Sequence, residues 1–231
     1  MVVIRSAIGR VATWETGYSS VGFESSCILQ AAEEVLYEPR RGIVPELEFH
    51  PLTPERWEDL ERLFGARGAC GGCWCMLWRL SRSQFERQKG EQNRAALRAL
   101  VGSGEVPGIL AYAGGRPAGW CAVARREEFP ALERSRVLKR VDEEPVWSVV
   151  CLFVDKAFRR RGVSIGLLRA AIEHVKRSGG NIVEGYPVEP KKDRMPDVFA
   201  WTGLASAYRK AGFTECLRRS ETRPIMRYEV P

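Results

Sequence analysis

The sequence predicts an α/β (α+β) domain built on a mixed sheet, and three observations carry that prediction. Short apolar strand patterns alternate with helical ones from Leu47 to the end of the chain. "GILAYAGGRPAGWCAVARRE" reads as an antiparallel hairpin turning at "GGRP". "VWSVVCLFV", the helical stretch after it and "NIVEGYPV" read as a βαβ unit, which needs a parallel strand pair.

The elements follow in order. Residues 1–44 read as an N-terminal extension of unknown role, with a short helix over Ser26–Tyr37 and a linker at "EPRRGIVPE". Residues 45–231 read as one domain. "LEFHPL" alternates as a strand, and "TPERWEDLERLF" opens a helix with Thr53 as N-cap and Pro54 in its first position. "SRSQFERQKGEQNRAALRALVGSG" is helical at both ends with a break at Gly90. The hairpin comes next, and then a polar helical stretch over about Glu127–Arg140. Val146–Val154 is an almost continuous apolar strand, the pattern of a strand buried on both faces. A helix runs from Val163 to about Arg177, with Leu168, Ala171, Ile172 and Val175 on one face. "LASAYRKAGF" is a helix stopped at Gly212, and "TECLR" and "RPIMRYEV" are closing strands.

Composition narrows the function classes. No apolar run approaches membrane-spanning length, and the first thirty residues lack the pattern of a secretory signal. The seven cysteines are odd in number and two lie inside strands, which reads as reduced, cytoplasmic usage. The net charge of +7 admits phosphates, polyanions or acidic substrates without choosing among them.

Two stretches offer chemistry. In "CLFVDKAFRRRGVSIGLLRAA" a buried strand runs through a basic turn into a helix that opens at a glycine. Helix openings leave amide N–H groups unpaired and carry a partial positive charge, and Arg159, Arg160 and Arg161 add full charges. A phosphate or pyrophosphate site is one reading, and a solvated surface helix is the other. The stretch is neither a P-loop nor a dinucleotide fingerprint. In "ACGGCWCMLW", Cys70, Cys73 and Cys75 could serve a metal, a redox centre, a pocket wall or the core. A zinc reading lacks a second ligand pair downstream, so no metal is expected.

The run Arg159, Arg160, Arg161, Gly162, Val163, Ser164 resembles the Gln/Arg-x-x-Gly-x-Gly/Ala motif of the GCN5-related N-acetyltransferase (GNAT) family, with Ser164 in place of the usual Gly/Ala. "SAYRKAGF" is similar to that family's Tyr-x-Lys-x-Gly-Phe helix, held here by Tyr208, Lys210, Gly212 and Phe213. The resemblance implies a twisted mixed sheet flanked by helices, with its central parallel strands splayed and acetyl-CoA as acetyl donor lying in the gap. It implies cofactor contacts at Leu152, Phe153 and Val154 and along Arg159, Arg160, Arg161, Gly162, Val163, Ser164, Ile165 and Gly166. It implies Tyr208 as the general acid, against the alternative of a core tyrosine, and an acceptor wall at Cys73, Trp74, Cys75 and Trp78, against the alternative of core packing. A cofactor-contacting asparagine of many members falls on Trp201 here.

The expected reaction is direct acetyl transfer to a primary amine of an unidentified acceptor, with a homodimer compatible with the sequence. A catalytically silent acetyl-CoA sensor and a basic nucleic-acid-binding protein are the alternatives. The strand Trp147–Val154 has no carboxylate, so the base is unassigned. Glu127, Glu128 and Glu184 read as surface charges, His174 as a surface residue and His50 as a strand-end residue.

Overall fold

The computed structural model describes residues 46–191 and 199–231, so the helix expected over Ser26–Tyr37 lies outside the described residues. Strand β1 (Leu47–Pro51) leads through a single 3-10 turn at Pro54–Arg56 into α1 (Trp57–Phe64). Thr53 precedes that turn in extended conformation but makes no side-chain cap bond. Helix α2 (Arg82–Gln88) starts with a capping box between Ser81 and Gln84, and α3 (Glu91–Gly102) starts after Gly90, where the break was expected. The hairpin is β2 (Gly108–Ala113) and β3 (Arg116–Arg125), turning on Gly114 and Gly115, both at positive φ.

The polar stretch after the hairpin is not a continuous helix. It holds α4 (Pro130–Glu133) and then turns. Arginine side chains meet the carbonyls at its far end. Arg126 donates to Leu138 O, and Arg219 donates to the carbonyls of Val137, Lys139 and Arg140.

The second half comprises β4 (Trp147–Val154), α5 (Val163–Arg177), β5 (Ile182–Gly185), α6 (Ala205–Ala211), β6 (Thr214–Arg218) and β7 (Pro224–Glu229). The seven strands form one sheet in the order β1-β2-β3-β4-β5-β7-β6. Only β4 and β5 run parallel, joined through α5 as the βαβ pattern requires. One face packs on α1 and the cysteine loop around Trp74, Trp120, Val150 and Tyr186. The other packs on α5 and α6, where Leu167, Leu168, Ala171, Ile172 and Val175 of α5 are buried. Each large aliphatic side chain in that stripe contributes about 2 kcal/mol before its entropy cost.

Two features of β4 shape the site. Its pairing with β3 slips between Val149 and Cys151, a bulge that turns both Val150 and Cys151 toward the face bearing the cysteine loop. Its pairing with β5 stops at Val149, so Val150–Val154 leave β5 and the sheet opens between them.

A buried charge network holds the paired part together. Glu184 is not a surface charge but is 1% exposed. It accepts from Arg126 Nη1 at 3.1 Å, Tyr186 Oη at 2.7 Å and Arg227 Nε at 2.8 Å. Ser148 and Tyr186 hydroxyls meet at 2.8 Å, and Arg227 also binds Asp142 through both terminal nitrogens. β4, β5 and β7 are thereby tied across their side chains as well as their ladders. Among the described residues no helix is long and apolar enough to cross a membrane.

Removing one partner of a buried pair leaves the others uncompensated. Glu184→Gln is expected to lower the unfolding free energy by about 3 kcal/mol in urea titration; a loss below about 1 kcal/mol would show that the network holds little. His174, expected at the surface, is half-buried with its ring edge-on to Trp147 at 5.7 Å. Burial, then Arg177, lowers its pKa below the usual 6.5. As pH falls through that value the unfolded chain takes the proton first, so stability declines. Between pH about 7.5 and about 5.5 the wild-type melting temperature should fall further than that of His174→Gln. Parallel slopes would exclude His174 as the cause.

Candidate functional site

The opening of the sheet sets the site. Beyond Val149 the backbone of β4 faces a gap on its β5 side, and one of its amides is already met: Leu152 N donates to Trp201 O at 2.7 Å. Trp201 belongs to the segment before α6, which reaches β5's continuation through a parallel bridge, Val188 to Leu204. Of the three β4 residues expected at a cofactor, Leu152 packs toward α5 and α6. Phe153 packs on the opposite face, edge-on to Phe64, and Val154 O accepts from Arg159 Nε at 3.1 Å.

The basic turn lies directly beyond β4. Arg160, at φ 61, and Gly162, at φ 81, both adopt left-handed conformations, and Gly162 is the N-cap of α5. Alternation of this kind turns successive amides toward one concavity, which suits an anion. Val163, Ser164 and Ile165 have no preceding helical carbonyl to bind, so their N–H groups open the helix. Gly166 differs from its expected role. Its N–H is given to Gly162 O at 3.0 Å, and a Cβ there would fall 2.3 Å from the Phe49 ring. Its smallness lets β1 approach α5.

Tyr208 is fully buried. Its ring lies against Gly185 and Gly203, where an added Cβ would come within 2.1 Å and 2.6 Å of a neighbouring side chain, Tyr208 in the first case and Leu152 in the second. Its hydroxyl donates to Thr202 O at 3.2 Å, and burial raises its pKa well above the usual range. The hydroxyl is thus protonated, and its acceptor sits one residue from the carbonyl that binds Leu152 N.

The cysteine loop separates into core and surface. Trp74 and Cys75 are 6% and 7% exposed. Trp74 stacks on Trp57 at 6.1 Å and covers Gly68, and Cys75 Sγ accepts from Trp120 Nε1 at 3.1 Å. Both hold left-handed backbone, φ 42 and φ 54, which L side chains adopt only under close packing. They are core residues in this structure, not pocket wall. Cys73 and Trp78 keep some surface. The thiols are free, and hydrogen bonding to Cys75 with burial raises the Cys73 pKa, as hydrogen bonding to Cys151 with burial raises that of Cys75. The two thiols therefore stay neutral, whereas the thiolate is the nucleophile and metal ligand. Among the described residues no group of three His, Cys, Asp or Glu could hold a metal.

Trp78 stacks on Trp201 with ring centroids 5.8 Å apart, and its Nε1 is buried with no partner among the described residues. The acids near the gap are engaged: Glu184 in its network, Glu128 with Arg79 at 2.6 Å and Glu127 with Arg140 at 2.7 Å. His50 lies edge-on to Tyr112, near Glu48.

Sequence reading did not identify Trp201 O as the partner of Leu152, Gly185 and Gly203 as the seat of Tyr208, or Arg223 beside them. Arg223 Nη1 donates to Thr202 Oγ1 at 2.8 Å and to Tyr186 O at 3.4 Å. No local pattern marks these residues, because each acts on a partner distant in the chain.

A model described as the acetyltransferase (GNAT) family matches residues 74–192, just over half of the chain. Solved structures similar to it include a GNAT-family acetyltransferase from Streptococcus agalactiae, at 15% identity and TM-score 0.49, covering 82% of this chain and 98% of that one. A GNAT-family acetyltransferase from Listeria monocytogenes matches at 10% identity and TM-score 0.49, covering 80% of this chain and 95% of that one. The paiA N-acetyltransferase from Thermoplasma acidophilum, in complex with coenzyme A, matches at 15% identity and TM-score 0.46, covering 80% and 99%. No curated protein matches the chain. With its family model spanning the hairpin, the opened β4–β5 pair and the basic turn into α5, the chain belongs to the GNAT acetyltransferase family.

Proposed function

We propose that the protein is an acetyl-CoA-dependent N-acetyltransferase that moves the acetyl group directly to a primary amine. The observation that carries this reading is the opening of β4 from β5 beside a helix N-terminus with a basic turn. An extended chain bearing amides fits such a gap as a further strand would, and a pyrophosphate suits the amides of Gly162, Val163, Ser164 and Ile165 with Arg159, Arg160 and Arg161 around them. Acetyl-CoA has both parts. It supplies the thioester; the chain's residues bind and orient it.

The residues divide the remaining work. Leu152 N–H, now on Trp201 O, is a donor at the centre of the gap. When the cosubstrate takes that amide, the carbonyls of Trp201 and Thr202 turn aside while the Trp201 ring stays on Trp78, and Tyr208 Oη loses its present acceptor. The phenol then holds a proton for the departing thiolate. Burial suits this role because it keeps Tyr208 protonated at neutral pH. Cys73 and Trp78, with Trp201 stacked on the latter, border the acceptor side. The amine reaches the thioester as free base, and water carries its proton away.

Acetyl-CoA at saturating concentration should raise the melting temperature by mass action. No shift would remove the transferase reading. Gly162→Glu should abolish the shift, since it puts a carboxylate where the phosphate binds and forces an L residue to φ 81; a retained shift would mean the phosphate lies elsewhere. Tyr208→Phe should reduce turnover, read as free thiol release, by about a hundredfold while the acetyl-CoA shift persists. Equal turnover in that variant would exclude Tyr208 as the acid.

A further inference from the structure

Arg223 differs from the arginines around it. Arg126, Arg140, Arg209, Arg218 and Arg227 each meet a carboxylate within 4.0 Å. Arg223 meets none among the described residues. Its contacts are Thr202 Oγ1 and Tyr186 O, both made by Nη1. The Nε–H and Nη2–H groups have no partner among the described residues. Those two nitrogens form the side of the guanidinium that grips a carboxylate with two parallel hydrogen bonds.

That side of the guanidinium keeps accessible surface, so a ligand can reach it. Arg223 is half-buried in the turn between β6 and β7, and burial alone lowers its pKa, with no anion offsetting it. A desolvated cation without a counter-charge gains more from an anionic ligand than an exposed one does. Arg219, its neighbour in the same turn, is satisfied by three backbone carbonyls.

The location links this cation to the reaction. Arg223 holds Thr202, and the adjoining Trp201 holds Leu152 N–H through its carbonyl and Trp78 through its ring. One short segment therefore has the guanidinium on one side and the opened part of β4 on the other. We propose that Arg223 is the specificity residue of the acceptor site and that the acceptor is a small amine bearing a carboxylate, an amino acid, whose carboxylate pairs with Nε and Nη2. This rests on the transferase reading above. The stacked Trp78 and Trp201 give the body of such a molecule an apolar wall, and the carboxylate on Arg223 turns its amine toward the thioester.

The test is a set of matched pairs: the standard amino acids and their primary amides, each assayed with acetyl-CoA by thiol release. The amide keeps size and amine but loses the charge. For the accepted side chains, kcat/KM should favour the acid by roughly tenfold or more. Arg223→Gln should bring the acid-to-amide ratio close to one, and Arg223→Lys, which keeps the charge but not the fork, should restore it in part. Amides equal to acids, or an unchanged ratio in Arg223→Gln, would overturn the proposal. If acetyl-CoA raises the melting temperature but no amino acid is acetylated, the carboxylate inference fails and the transferase reading stands. If acetyl-CoA produces no shift, the transferase reading fails, and calorimetric titration of the amino acids alone reads Arg223. Binding weakened about tenfold or more in Arg223→Gln would retain the anion site; absence of binding to wild type would overturn it.

Discussion

The parting of β4 from β5 after Val149 is the constraint on which the rest of the molecule depends. A parallel pair inside a sheet normally satisfies its amides along its whole length. Here the ladder ends after three register positions, and five residues of β4 run on without β5. The bulge at Val150 belongs to the same departure, since it bends the strand and turns two consecutive side chains to one face. An interior strand with an open edge invites an extended ligand. In this structure the chain's own Trp201 carbonyl meets the central amide.

An opening of this kind needs a rigid frame, and the buried polar network provides one. Glu184, Arg126, Tyr186, Ser148 and Arg227 tie β4, β5 and β7 together where the sheet is still closed. Ions buried this deeply stabilise only when their partners are in place. The network therefore fixes one arrangement of strands rather than adding a large net energy. It engages both oxygens of Glu184, Oε1 with Arg126 and Tyr186 and Oε2 with Arg227. The cysteine loop plays a similar part on the other face. Left-handed Trp74 and Cys75 are held by stacking on Trp57 and by the indole of Trp120, and they brace the wall from which Trp78 projects.

The positive charge of the chain divides by partner. Most arginines near the site neutralise acids or cap carbonyls, and so contribute to shape. Those of the basic turn before α5 stand at a helix opening, and Arg223 keeps two nitrogens free among the described residues. One of these places follows β4 at the start of α5, and the other is in the β6–β7 turn. A donor with phosphates and an acceptor with a carboxylate would each find a cation to orient them.

Much of the fold was legible from the sequence because its signals are local. Alternation marks β2 and β3, the apolar run marks β4, the periodic stripe marks α5, and glycines mark the turns. The strand–turn–helix order around Gly162 was legible for the same reason, and its left-handed backbone follows from glycine's freedom there. The sequence by itself thus determined most of the elements, their order and the family to which they are similar. Only the tertiary structure decided which side chains are buried and which amides are open. Glu184 and His174 read as surface residues because polar residues usually are, yet each lies against partners far along the chain. Trp74 and Trp78 share one short motif and diverge, one into the core and one toward Trp201, because a left-handed turn separates them. The stretch expected as a helix after the hairpin holds only α4, and the carbonyls beyond it are met by Arg126 and Arg219. In each case the deciding contact joins residues that sequence periodicity cannot relate, since it reports faces and not the neighbours that cover them.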